Sequence, residues 1–206
     1  MTMGRQELSE HPRTTKSRGY EMRKRADDVG RTRRRIVEAA VELHGTAGPA
    51  LTSIAAIAER AGVTRLTVYR HFPDETALFQ ACSGHWMSQQ KLPAPEKWSA
   101  IEDPLERLRV GLADLYRFYR DAEQMLTLVA RDAHAIPQPI RAAREAITKQ
   151  HLAVLTAAWP PPANPLRQAA VAHAASFTTW RSLCRDQALT NPQAVDLMTT
   201  LVQTLH

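Results

Sequence analysis

The sequence predicts an all-α protein of about nine helices: a small three-helix unit near the N-terminus, then a larger antiparallel helical domain. Three observations carry this. Apolar residues recur at spacings of three and four through most of the chain. Capping residues and prolines punctuate those stretches at helix-length intervals. The sequence shows no convincing strand pair, hairpin signal or internal repeat.

The first periodic stretch begins after Asp28, where Ile36, Ala39, Ala40 and Leu43 share a helical face and Gly45 follows as a stop. Residues 1–26 lack apolar periodicity and are expected to form a disordered basic arm. A second, short helix fits Thr52–Ala61, with Thr52 or Ser53 as its cap and Gly62 in the left-handed position after it. Thr64 caps a third helix that runs to His71. Pro73-Asp74 breaks the chain, and Asp74 caps a fourth helix over Glu75–Gln90. "LPAPEKW" (Leu92–Trp98) reads as a linker.

Beyond it, "DPLE" is a helix start with Asp103 as cap, Pro104 in the first turn and Glu106 placed for a capping box. Leu105, Leu108, Leu112, Leu115, Tyr116 and Tyr119 continue that helix. Further helices are predicted over Ala122–Ala133 and Ile140–Trp159. Leu166–Ala188 reads as one long helix, with Ala170, Ala174, Phe177, Trp180 and Cys184 on a stripe. Asn191-Pro192 opens the last helix.

Hydrophobic content of 44% and charged content of 23% suit a globular chain. No apolar run approaches the roughly 18 residues of a membrane span, and the N-terminus lacks a secretory apolar core. The reading is a cytoplasmic protein without membrane contact. Cys82 and Cys184 give no disulfide framework. The charge is lopsided: residues 1–35 hold 11 Lys/Arg against 5 Asp/Glu, which accounts for the whole net charge of +6. A basic segment on a neutral body points to a polyanionic partner, or else to a solvated tail that aids solubility.

Helix, glycine turn, helix over residues 52–71 is the helix-turn-helix pattern of DNA readers. Ala58 is small where the next helix crosses, Gly62 takes positive φ, and Val63 and Val68 anchor the second helix on the first. Arg65, Leu66, Thr67, Tyr69 and Arg70 are left on outward or flanking faces. Arginine reaches guanine O6 and N7, a threonine methyl meets a thymine methyl, and Tyr69 and His71 are placed to donate to phosphates.

"LTSIAAIAERAGVTRLTVYRHFPDETALF" (Leu51–Phe79) resembles the N-terminal signature of the TetR family of bacterial transcriptional regulators, and "RRRIVEAAVELH" (Arg33–His44) resembles that family's first helix. The matching elements are Thr52, Ile57-Ala58, Ala61-Gly62-Val63, Val68-Tyr69, His71-Phe72 and Ala77-Leu78. The resemblance implies phosphate contacts from Thr52, Tyr69 and His71, and base or groove contacts from Thr64, Arg65 and Thr67. Ser53, Leu66 and Arg70 complete the candidate DNA-binding set, with Arg33 of the basic segment. Three positions depart from the family. Glu75 and Thr76 stand where the family usually has Lys then Glu, which removes one phosphate contact. Leu66 replaces a small residue, to alter base preference or simply to pack.

The resemblance also implies a homodimer through the last two helical stretches, a palindromic double-stranded operator, and release of that operator when a small-molecule effector binds the C-terminal domain. On this reading residues 27–75 form the DNA-binding domain and residues 76–206 the effector-binding and dimerisation domain. Trp86, Tyr116, Tyr119, Met125, His134, His151, Trp159, Phe177 and Trp180 are candidate effector-pocket residues, with ordinary core packing as the plainer role for each. Cys82-x-x-His85 offers two ligands where a tetrahedral metal site needs four, so no metal is expected. The sequence has no phosphate-cradling glycine loop, no His-Glu-x-x-His and no nucleophile elbow, so no enzyme activity or cofactor is expected. Two other readings remain: a constitutive dimeric DNA-binding protein without an effector, and a helical enzyme or carrier with an incidental basic arm.

Overall fold

The computed structural model describes the backbone of residues 15–205 and the side chains of residues 20–205. Among the described residues it holds eleven α-helices, two 3-10 turns and one π turn, and no strand. The excess over the expected nine comes from two five-residue helices that the periodicity argument does not resolve.

Helix α1 spans Thr15–Thr46. At 1.5 Å per residue it is about 48 Å long. This corrects the expected disordered arm: residues 15–26 continue the first helix without a break, and residues 1–14 lie outside the described residues. The physical reason lies in composition. Lys, Arg, Met, Glu and Ala are strong helix formers, and the apolar period is absent because no described residue buries this part of the helix. Met22 and Val29 are 70% and 56% exposed. Core contact begins only at Ile36 and Val37.

Helices α2 (Ile54–Ala61) and α3 (Arg65–His71) follow, and α4 (Glu75–Ser88) closes the unit. Each starts on a side-chain cap: Ser53, Thr64 and Asp74 accept from the backbone N–H three residues on. Gly62 ends α2 with φ 63°, ψ 42°, a conformation that suits glycine. Ile36, Ala40, Ile57, Ala58, Val68, Phe72, Leu78 and Cys82 form one buried cluster, so α4 supplies two residues to the core beneath α2 and α3.

The C-terminal body has a separate core, built around α6 (Pro104–Asp121) and α11 (Asn191–Gln203). The expected linker contains a short helix, α5 (Pro95–Ser99), because Trp98 needs a buried seat. Trp98 is 1% exposed and its indole N–H donates to Asp114 at 3.1 Å. Truncating such a side chain to alanine costs about 3–5 kcal/mol. Gly111 leaves room for Leu155 of α8 (Gln138–Thr156) to lie against α6; a Cβ there would collide with the Leu155 side chain.

Helix α7 (Glu123–Arg131) runs back to α1. The long helix expected over Leu166–Ala188 is broken into α9 (Pro165–Ala174), α10 (Phe177–Arg181) and a π turn at Ser182–Asp186. Ser176 causes the first break by capping α10, its Oγ accepting from Thr179 N at 3.1 Å. The break leaves the carbonyls of Ala174 and Ala175 without helical donors, and the hydroxyls of Tyr116 and Tyr119 donate to them at 2.8 and 2.7 Å. The last helix starts at Asn191, as its Asn-Pro suggested, and Thr190 before it is the cap, in a reciprocal capping box with Gln193. Among the described residues no helix is long and apolar enough to cross a membrane.

Candidate nucleic-acid interface and effector clefts

Val68 sets the orientation of α3. It is 1% exposed, so the opposite face of the helix looks outward. Leu66 and Arg70 lie at the centre of that face, flanked by Arg65 and Tyr69 on one side and Thr67 on the other. Leu66 is 71% exposed and Tyr69 51%, so the packing role considered for Leu66 does not apply. An exposed leucine there offers an apolar surface to a thymine methyl. Thr64 and Thr67 share a hydroxyl contact of 2.9 Å at the amino end of the helix. His71 is half-buried.

The remaining candidates surround α3. Ser53 Oγ accepts from Ala56 N at 3.1 Å, which leaves its own proton to donate outward. Thr52 differs, because its hydroxyl donates to Gly48 O at 2.8 Å. The Arg33 guanidinium lies over the Phe72 ring, 4.7 Å from its centroid, and so braces the end of α3 against α1. Arg35, near Arg33 on α1, donates to the carbonyls of Ala61 and Gly62 at the turn. Glu75 is exposed in the first turn of α4, where a carboxylate suits the helix dipole.

The candidate effector residues fall into separate places. Tyr116, Tyr119, Phe177 and Trp180 are packed together. The Tyr119 ring meets Phe177 edge-on at 5.5 Å, and Phe177 stacks on Trp180 at 5.6 Å. Burial raises both tyrosine pKa values well above the ordinary range, Tyr116 with smaller contributions from Cys184 and Tyr119, so both hydroxyls stay protonated donors. Trp86 and Met125 instead line an open cleft of about 370 Å³ between α1, α4 and the α6–α7 junction. Phe118, which the sequence reading missed, joins the two groups. Its ring lies 6.3 Å from Trp86 and 6.1 Å from Tyr119. Its spacing on α6 next to Tyr119 was the available signal.

Trp159 lines a smaller cleft of about 160 Å³ at the α8–α9 connection, with Arg167 above its ring. His151 packs edge-on against Trp98 at 5.3 Å, and burial lowers its pKa. His134 is exposed on a 3-10 turn, Ala133–Ala135. Cys82 and Cys184 are both buried free thiols, and the described residues hold no group of three metal-ligating side chains.

Three hydrogen bonds tie the two bodies at the α1–α7 contact. Gln124 donates to Gly45 O at 2.7 Å, Arg131 donates to Ala47 O at 2.7 Å, and Ala50 N donates to Asp132 at 3.1 Å. Asp132 is 4% exposed, and Arg131 also donates to it at 2.7 and 2.8 Å. These contacts place the cleft beside the joint through which the C-terminal body holds α1.

The pattern that defines the bacterial regulatory proteins of the tetR family matches residues 36–82. No curated protein matches the chain by sequence. Solved structures similar in fold include a TetR-like transcriptional regulator from Rhodococcus sp. RHA1, 19% identical over 84% of this chain and 93% of that one, with a TM-score of 0.57. AibR, solved in complex with isovaleryl coenzyme A and operator DNA, is 20% identical over 82% of this chain and 97% of that one, with a TM-score of 0.60. NalD of Pseudomonas aeruginosa, the secondary repressor of the MexAB-OprM multidrug efflux pump, is 21% identical over 86% and 96%, with a TM-score of 0.59. The helix-turn-helix segment, residues 36–82, thus fits the pattern of the tetR family of bacterial regulatory proteins, and the fold is shared with these solved structures along most of the chain.

Proposed function

We propose that this chain is a DNA-binding transcriptional repressor that holds a palindromic operator as a homodimer and releases it when a small molecule binds the C-terminal body. The observation that carries the DNA-reading half is the outward face of α3, where Arg65, Leu66, Tyr69 and Arg70 are exposed around the buried anchor Val68. Thr64 and Thr67 reach the groove beside Arg65, while Thr52, Tyr69 and His71, with Ser53 next to them, set the register on the phosphates.

Dimerisation uses α9 and α11. Leu166 on α9 is 70% exposed, and Leu197 and Leu201 on α11 are 40% and 50% exposed, one turn apart. Paired with the same helices of a second copy, they bury their apolar faces in a four-helix contact with two-fold symmetry. Two copies of α3 then face successive major grooves.

The effector enters the cleft at Trp86 and Met125. Tyr116, Tyr119, Phe177 and Trp180 form the packed support behind it, connected through Phe118. A ligand seated between α1 and α7 favours a different placement of α1, and α1 carries α2 and α3 with it. The mechanism is a shift between two placements of the DNA-reading unit. AibR, solved with isovaleryl coenzyme A and operator DNA, supports by similarity of fold the reading that one such chain takes both a small molecule and DNA.

The test is fluorescence anisotropy on DNA from upstream of the chain's own gene, against a scrambled duplex, at several salt concentrations. Sequence-selective binding weakened tenfold or more by Arg65→Ala is expected. Screening small molecules for release in the wild type and in Trp86→Ala then locates the effector site. Equal, weak binding to both duplexes would overturn the reading. Selective binding that no small molecule releases would favour the constitutive alternative.

A further inference from the structure

We propose that the amino-terminal extension of α1 is a second DNA-contacting element, a helical strut that lies on the phosphate backbone of the duplex flanking each half-site. This rests on the reading of α3 as the DNA-reading helix and adds to it.

Position comes first. Arg35 donates to the carbonyls of Ala61 and Gly62, in the turn that leads into Thr64 and the amino end of α3. Recognition helices present their amino ends to the bases. The extension therefore leaves the folded body at the DNA-facing end of the unit. From Thr15 to Arg35 it spans about 30 Å at 1.5 Å per residue. That equals about nine base steps at 3.4 Å.

Charge comes second. Between Thr15 and Arg35 the helix carries nine Lys/Arg against three acids, which is the whole net charge of the chain. Arg23, Lys24, Arg25 and Arg34 are exposed. Asp28 engages Arg31, so one acid is already countered within the helix. Such a surface fits a polyanion, and the polyanion next to α3 is the duplex.

Shape decides which part of the duplex. A helix with its side chains is about 10–12 Å across, and the minor groove is about 6 Å wide. An extended arm enters that groove, but this helix does not. Its contacts are with phosphates, which fix position without reading sequence. Met22 and Val29 continue the Ile36–Ala40 face outward and are left mostly exposed by the described residues, so this part of the helix gains a partner in the complex.

The experiment uses the full chain and a duplex selected from a random library by that chain, then trimmed stepwise from both ends. Wild type is compared with a triple variant, Arg23→Gln, Lys24→Gln and Arg25→Gln, which keeps good helix formers. On the long duplex the variant is expected to bind at least tenfold more weakly. Its log–log salt slope is expected to be shallower by about 0.9 for each lost phosphate contact. On the trimmed duplex the two proteins bind alike. Equal binding on the long duplex, or a loss that persists undiminished on the trimmed one, overturns the strut. Arg65→Ala separates the two readings. It should abolish selection at every duplex length, and a wild-type chain that selects no sequence overturns the α3 reading itself.

Discussion

The carboxylate of Asp132, at the end of α7, accepts the backbone N–H of Ala50 at 3.1 Å, across 82 positions of sequence. Hydrogen bonds from Arg131 hold its pKa down to about 2, against a smaller opposing effect of burial, and the Ala50 N–H adds to the lowering. The group stays ionised and keeps the joint between the two bodies closed. Asp132→Ala is expected to lose hydrogen-exchange protection at the Ala50 amide and to weaken the coupling between effector and operator. In the wild type the same joint holds above the ordinary carboxylate pKa and loosens as pH falls from about 4 towards 2. Exchange rates corrected for intrinsic pH dependence check both. Unchanged protection in Asp132→Ala would show that the joint rests on other contacts.

His44 links α1 to α4 in the opposite way, by staying neutral. It is 6% exposed, stacks on Phe79 at 4.7 Å and meets Cys82 Sγ at 3.7 Å. Burial lowers its pKa from 6.5 to about 4. As pH falls below 6.5 the unfolded chain takes up a proton that the folded chain refuses. Stability is therefore present above that pH and is lost as pH falls towards 4, by at most about 3 kcal/mol. Urea midpoints at pH 7.5, 5.5 and 4.5 should fall more steeply in the wild type than in His44→Gln. Parallel slopes would place the titrating group elsewhere.

Thr199 is 2% exposed on α11, and its hydroxyl has no hydrogen-bond partner among the described residues. A buried hydroxyl without a partner is a desolvation cost that an apolar group avoids. Thr199→Val is expected to stabilise the C-terminal body by about 1 kcal/mol. For a chain of this size that is a rise of about 3 °C in Tm. A fall in Tm by calorimetry would mean that the hydroxyl is satisfied, for instance across the dimer contact.

The caps made much of this fold legible. Ser53, Thr64, Asp74 and Asp103 each mark a helix start in sequence, and each accepts the expected backbone N–H. The outward face of α3 was equally legible, because one buried position, Val68, fixes the rest by helical geometry. What escaped has a common cause. The α1 extension, α5 and the break at Ser176 are not set by local apolar period. The extension follows from helix propensity alone. The second exists to seat Trp98 against Asp114, and the third is stabilised by tyrosines about 57 positions earlier in the chain. The gathering of Trp86 and Met125 at one cleft, with Phe118 next to Trp86, is likewise a product of packing between α1, α4 and the α6–α7 junction. Residue type alone had scattered the effector candidates across the whole C-terminal body.

Glu75 tests whether the start of α4 lies at the DNA backbone. It sits exposed in the first turn of α4, one residue after the cap Asp74, whose side chain accepts Ala77 N at 2.7 Å. In the free protein a carboxylate there is favourable with the helix dipole by about 0.3–1 kcal/mol. Next to a phosphate the same charge is repulsive. Glu75→Lys therefore exchanges a small loss of folding stability for DNA affinity. Its salt slope should steepen by about 0.9 per protomer, the signature of one added phosphate contact. Glu75→Gln removes the repulsion without adding a contact, so its affinity should rise less and its slope should stay at the wild-type value. The order Lys, Gln, Glu in affinity at fixed salt, measured by anisotropy on the selected duplex, would place Glu75 at the backbone. If all three bind alike, α4 begins beyond the reach of the DNA, and Arg33 and Arg34 on α1 carry the phosphate contacts on that side.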